Sequence, residues 1–114
     1  EKKPLKPAQL KIKEAELLLS AVPKGATLVA LDRGGRELAS TDLAKKLGAW
    51  QDDGIGEIAF VIGGSDGLDQ TILDKAQLKI AMGAMTWPHL LARVMLIEQI
   101  YRAQCILSNH PYHK

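Results

Sequence analysis

Cysteine is nearly absent from the 114-residue sequence, and the single one, Cys105, has no internal partner. A small secreted scaffold stapled by disulfides is thereby excluded, and a reducing cytoplasm is the simplest home. Long apolar runs are missing too. The longest purely aliphatic-and-aromatic stretches, Ile58–Ile62 and Val94–Ile97, fall far short of the roughly 18 residues of a membrane span. Leu17–Val22 is too short for a signal core and follows Glu14 and Glu16. There is no low-complexity tract, no internal repeat and no Ser–His or Cys–His nucleophile–base pattern. His110 and His113 have a metal-like gap, but one cysteine and no paired ligand cluster give no expectation of zinc or any other metal.

What is present is ordinary globular composition. The chain is 46% hydrophobic and 25% charged, neither disordered nor fibrous. Its length suits one domain, expected over residues 1–114 with a frayed start at 1–6, that buries about 60% to 70% of its unfolded surface. Glu1 is not an initiator Met, so the chain reads as a fragment or a processed product. Net charge is +2, unevenly spread: basic residues exceed acidic ones up to Lys24 and again after Trp87, with an acidic stretch between. That pattern suits a polyanionic partner, although so small an excess speaks first to solubility.

Hydrophobic spacing predicts alternating helices and strands. After Pro7, Ala8, Ile12, Ala15, Leu19 and Val22 recur at helical spacing until Pro23–Lys24–Gly25 stops them. Thr27–Leu31 is a short continuous apolar run, as in a strand buried on both faces, and Asp32–Arg36 reads as a loop. Ser40 or Thr41 is placed to cap a second helix, with Leu43, Leu47 and Trp50 as its buried stripe. Ile58–Ile62 is a second strand, followed by the glycine-rich Gly63–Leu68 and a short helix through Ile72 and Ala76. A third strand runs from Leu78 to Met82. The loop Gly83–Trp87 then leads into Pro88, suited to a helix's first turn, and a last helix to about Leu107. Leu90, Leu91, Val94, Met95, Ile97, Ile100, Tyr101 and Ile106 cover so much of that helix that it needs two surfaces to pack against: the sheet and a second subunit. The fold class is α/β, with a mainly parallel sheet and helices on both faces.

In open α/β sheets ligands gather at the carboxyl ends of the strands, which selects Asp32–Arg36, Gly63–Leu68 and Gly83–Trp87. Gly63-Gly64-Ser65-Asp66-Gly67 is neither a GxGxxG nor a P-loop; it reads as a tight turn or as a cradle for something anionic or nucleotide-like. Met82, Met85 and Trp87 would form a wall for an adenine and a sulfur-bearing chain, or else plug the core.

Four segments taken together are more specific: LDRGG (Leu31–Gly35), FVIGGSDGL (Phe60–Leu68), MTWPHLLARVMLIEQIYRA (Met85–Ala103) and NHPYHK (Asn109–Lys114). In this order, from about Leu10 to Lys114, they resemble the bacterial large-subunit ribosomal RNA pseudouridine N3-methyltransferases, RlmH-like members of the SPOUT superfamily. The resemblance implies a SPOUT-type trefoil knot in the carboxyl half, against the general rule that chains do not thread loops. It also implies a homodimer, large-subunit ribosomal RNA as partner and S-adenosylmethionine as cofactor. Cofactor contacts would be Leu31, Gly63, Met82, Gly83, Ala84, Met85, Thr86 and Trp87. The chemistry then needs alignment and the management of one proton and of charge on the base's carbonyls. His113 is the candidate proton acceptor, Lys114 the charge stabiliser and Tyr112 the stacking or orienting group, with His89 and Arg93 near the substrate.

Departures from the family pattern bring their own expectations. The family's first strand and helix are lacking here, which would leave Thr27–Leu31 with an uncovered sheet edge. Gly83 stands where Ser is common, and Lys114 where Arg is frequent, exchanging a forked donor for a point charge. The alternatives are a catalytically silent knotted RNA-binding or ribosome-assembly module, and an unknotted nucleotide-binding domain.

Overall fold

In the computed structural model, which describes residues 6–63, 67–83, 85 and 87–113, helices and strands alternate as the hydrophobic spacing predicts. Pro7 opens α1 (Pro7–Ala21), where no backbone donor is needed, and the Lys6 N–H is taken up by the Gln9 side chain at 3.1 Å. Three strands follow, β1 (Thr27–Glu37), β2 (Ile58–Ile62) and β3 (Leu78–Ala81), with α2 (Ser40–Asp52) and α3 (Gln70–Lys75) between them. The chain closes with α4 (His89–Leu107).

Among the described residues all strand pairings are parallel, in the order β2–β1–β3. The continuous apolar run of β1 has its physical reason there, since the central strand of a parallel sheet is covered on both faces. Val29 points to one face with Leu78 and Ile80, and is packed by Leu43, Leu47 and Trp50 of α2 and Ala103 of α4. Leu28 and Ala30 point to the other, with Val61, packed by Ala15 of α1 and Ile72 of α3. Helices therefore cover both faces. Gln77 clamps β1 to β3: its side-chain oxygen accepts from Leu28 N–H at 2.7 Å and its own N–H donates to the Leu28 carbonyl at 2.8 Å.

Several local expectations change. The Thr27–Leu31 edge is not uncovered; β1 is central and both of its edges are paired, and among the described residues β2 and β3 are the outer strands. β1 also runs beyond Leu31, because the segment read as a loop is an irregularity inside the strand: Leu31 and Arg36 both register with Ile80. Gly35 permits this, since a Cβ there would stand 2.7 Å from the Ile80 nitrogen. Ser40 caps nothing. Ala39 is the N-cap residue of α2, and the Ser40 hydroxyl donates to Gln99 Oε1 on α4 at 2.6 Å, a tertiary bond in place of a local one. Pro88 precedes α4 as its N-cap residue, and Ile12 faces outward from α1.

α4 ends in a Schellman turn. Asn109 takes φ 59°, the His110 N–H donates to the Cys105 carbonyl at 2.8 Å and the Asn109 N–H to the Ile106 carbonyl at 3.2 Å. Pro111 follows, and the tail folds back along the helix it has just left. Cys105 is buried. No helix among the described residues is long and apolar enough to cross a membrane.

Candidate functional site

The carboxyl ends of β2 and β3, and the irregularity of β1 just after Leu31, open into one cavity of about 680 Å³. β1 contributes Leu31, Asp32 and Arg33; β2 and its loop contribute Ile62, Gly63 and Gly67. Ile80, Met82, Gly83, Met85 and Trp87 come from β3 and the segment after it, and Pro88, His89 and Ala92 from the start of α4. Described residues from all three of the segments that topology singled out thus line one cavity.

Local chemistry fixes each segment. At Gly63 a Cβ would lie 2.8 Å from the Gly67 carbonyl carbon and 2.9 Å from the Leu68 nitrogen, so the chain can double back there only without a side chain. Gly83 has φ +95°, a backbone state that glycine reaches without strain. The Trp87 indole N–H donates to the Met82 carbonyl at 3.2 Å, drawing the ring back towards the end of β3. Asp32 Oδ2 accepts the Gly34 N–H at 2.9 Å, which turns the chain just beyond Leu31. His89 lines the cavity with Nε2 3.4 Å from the Ile62 carbonyl, a long contact.

Of the expected cofactor residues, Leu31, Gly63, Met82, Gly83, Met85 and Trp87 come together here, while Ala84 and Thr86 lie outside the described residues. His89 is in the same lining; Arg93, one turn further along α4, is exposed and outside it. Sequence reasoning had no specific signal for Ala92 or Pro88. Asp32, Arg33 and Gly67 were within reach, because they belong to strand-end loops singled out on topology.

The tail makes a second cluster. Tyr112 donates its hydroxyl to Glu98 Oε2 at 2.7 Å, and Arg102 holds both Glu98 oxygens, Nη2 to Oε2 at 2.7 Å and Nε to Oε1 at 3.1 Å. Arg102 Nη1 lies 3.0 Å from His113 Nδ1, and the guanidinium sits over the Tyr112 ring at 4.9 Å. Tyr101 meets that ring edge-on, 4.9 Å between centroids. The paired Arg102 guanidinium, and then the Tyr112 hydroxyl, hold the Glu98 carboxyl below its ordinary range; the bond to Glu98 raises the Tyr112 hydroxyl above its own. Glu98 and Arg102 were not expected as site residues, although a carboxylate four positions before an arginine on one helix is a visible signal. Lys114 lies outside the described residues.

The two clusters are separate within one chain. Tyr112 and His113 line no part of the cavity. Along α4, Glu98 is about 14 Å of axial rise beyond His89 and about half a turn round the helix.

A parallel α/β sheet with a glycine- and methionine-lined cavity at its strand ends defines the class. The chain belongs to the SPOUT methyltransferase family, whose model, described as "Predicted SPOUT methyltransferase", matches residues 1–113. Among curated relatives, the ribosomal RNA large subunit methyltransferase H of Paramagnetospirillum magneticum is 50% identical over 114 residues, which is all of this chain and 75% of the relative. The protein of the same name from Rhodospirillum centenum is 58% identical over 106 residues, 93% of this chain and 70% of the relative. That from Dinoroseobacter shibae is 50% identical over 104 residues, 91% and 67% of the two chains.

Proposed function

We propose that this chain transfers a methyl group from S-adenosylmethionine to N3 of a pseudouridine in the 23S ribosomal RNA of the large subunit, as a cytoplasmic homodimer. The observation that carries this reading is the convergence of residues from the β1 irregularity, from the β2 end and from the β3 end on one cavity in a member of a methyltransferase family. The relatives' names supply large-subunit ribosomal RNA as the target class, and the motif resemblance supplies the nucleotide. One domain over residues 1–114 with a threaded carboxyl half belongs to the same reading.

The residues present fit the methyl donor. The cavity is within the range of small-molecule sites. Trp87 and Met82 offer flat and polarizable apolar surface to an adenine and a sulfur-bearing chain. Gly63, Gly67 and Gly83 expose backbone without side chains in the way. Asp32 and Arg33 add a carboxylate and a guanidinium, complementary in class to an amino-acid ammonium and carboxylate. When bound, S-adenosylmethionine supplies a sulfonium-activated methyl: the acceptor nitrogen's lone pair forms the new N–C bond, sulfur keeps the electrons of the broken C–S bond, and the nitrogen's proton leaves.

The chain's own part is to hold both reactants in line, which by itself can remove several kcal/mol of barrier. Ala84 and Thr86 contact the cofactor in this reading. His89 and Arg93, at the cavity rim and one turn beyond it, face the RNA, and Tyr112, His113 and Lys114 serve the acceptor base. Because a chain's own tail lies away from its own cavity, the tail of a second copy completes each site. The outward face of α4 supports this: Leu90, Val94, Ile97 and Tyr101 recur every three to four residues and are all exposed, Leu90 to 72%. Two such helices crossing antiparallel about a two-fold axis bring each tail towards the other protomer's cavity.

Isothermal titration with S-adenosylmethionine, followed by mass spectrometry of large-subunit RNA incubated with and without the protein, tests the proposal. One added methyl on one pseudouridine is expected. A folded dimer that does not bind the donor, or RNA that returns unchanged, would overturn it.

A further inference from the structure

The Arg102–His113 contact bears on what His113 can do. A guanidinium has N–H donors and no acceptor, and it stays protonated at any working pH. With Nη1 3.0 Å from His113 Nδ1, that ring nitrogen must be the acceptor of the bond. The proton of the neutral imidazole is then on Nε2, the nitrogen that Arg102 does not engage. Taking a proton at Nε2 while neutral would require the other tautomer, with an N–H on Nδ1 directed at an N–H of Arg102.

Arg102 is itself fixed. Glu98 accepts from its Nε and Nη2, and the same carboxylate accepts the Tyr112 hydroxyl. Glu98 therefore orients two neighbours of His113 at once, the arginine that sets its tautomer and the tyrosine that precedes it in the chain.

We infer that His113 works as a hydrogen-bond donor through Nε2–H and not as the proton acceptor, with Arg102 and Glu98 as the positioning residues that lock it in that form. This rests on the reading of the tail as the acceptor side of a methyl-transfer site. The partner of Nε2–H is a carbonyl oxygen of the pyrimidine ring beside N3, where negative charge collects once the N3 proton has left to water. A donor already aimed at that oxygen stabilises the charge without reorganising during the reaction.

The test has two arms. Two-bond nitrogen–proton spectra of histidine-labelled protein at neutral pH report the tautomer of each imidazole, and His113→Gln assigns the signal. The neutral Nε2–H form is expected for His113, with a mixture of forms in Arg102→Met and recovery in Arg102→Lys, which restores an N–H donor. A proton on Nδ1 in the unmodified protein, or a tautomer unchanged by Arg102→Met, overturns the inference whatever the RNA result.

The second arm compares kcat of methyl transfer. The amide NH₂ of Gln stands near the place of an imidazole Nε2–H, so His113→Gln should keep turnover within about tenfold of the parent. His113→Ala should lose on the order of a hundredfold, as when one charge-stabilising donor is removed. Equal losses in the two variants would make His113 the base and sink the donor role. Absence of transfer by the unmodified protein would instead count against the methyltransferase reading, leaving the spectra to decide the tautomer.

Discussion

Gly35 passes the backbone of Ile80 so closely that a β-carbon on it would stand 2.7 Å from the Ile80 nitrogen. This crossing lets β1 resume its pairing with β3 after the irregularity that carries Asp32 and Arg33 to the cavity. Backbone cannot yield as a flexible side chain can. Gly35→Ala should therefore destabilise the fold by about 1–3 kcal/mol, as overpacking does, read from the urea midpoint. Gly34→Ala meets only the end of the Asp32 side chain, at 3.0 Å, and should cost less. Equal costs would show that the close crossing does not constrain the strand.

Trp87 is braced by one hydrogen bond from its ring nitrogen to the Met82 carbonyl. Trp87→Phe keeps an aromatic ring and removes that bond, worth about 1 kcal/mol net. Titration calorimetry should then give S-adenosylmethionine affinity about fivefold weaker, and Trp87→Ala should lose more. Unchanged affinity in the phenylalanine variant would mean that the indole N–H does not hold the wall.

The exposed stripe of α4 predicts a response to charge. Val94→Glu or Ile97→Glu leaves the packed positions Ala92, Leu96 and Ala103 untouched. The far-ultraviolet circular dichroism should stay as in the parent, while sedimentation shifts from dimer to monomer and methyl transfer is lost with it. A dimer that survives both substitutions would place the subunit contact elsewhere.

Docking of the tail should depend on pH at both extremes. The Glu98 pKa is lowered from 4.5, by Arg102 first and then by Tyr112, so the stabilisation is present above the ordinary value and lost as pH falls through the lowered one. The Tyr112 pKa is raised from 10.0 by its bond to Glu98, so that part is present below the ordinary value and lost as pH rises through the raised one. Between roughly pH 5 and 10 the tail should stay docked. The Tyr112 ring resonances report this, and a tail that stays docked at both extremes would contradict the Glu98–Tyr112 bond as the latch.

Much of the cavity was legible because its determinants are local. Continuous apolar runs gave the strands, and the rule for parallel sheets then selected the three segments at their ends. The rest depends on contacts between distant residues. Nothing around Ser40 shows that its hydroxyl is drawn to Gln99, 59 positions away. Asp32–Arg36 reads as a turn by composition, and only the proximity of Ile80 makes it an irregularity inside a strand. The direction of the tail was readable in principle: Asn109 followed by Pro111 is a helix stop that turns the chain back, and Glu98 with Arg102 waits on the face it returns to.

The all-parallel order of the strands has a consequence for how the molecule is made. Thr27 pairs with Ile58 and Val29 with Leu78, so none of the pairings among the described residues is a hairpin that could seed the sheet. Within the described residues β1 gains its first strand partner only when β2 has emerged, and its other side stays open until β3 is synthesised. Slow, late collapse is the kinetic signature of such distant pairings, and the nascent chain carries that open central strand through translation.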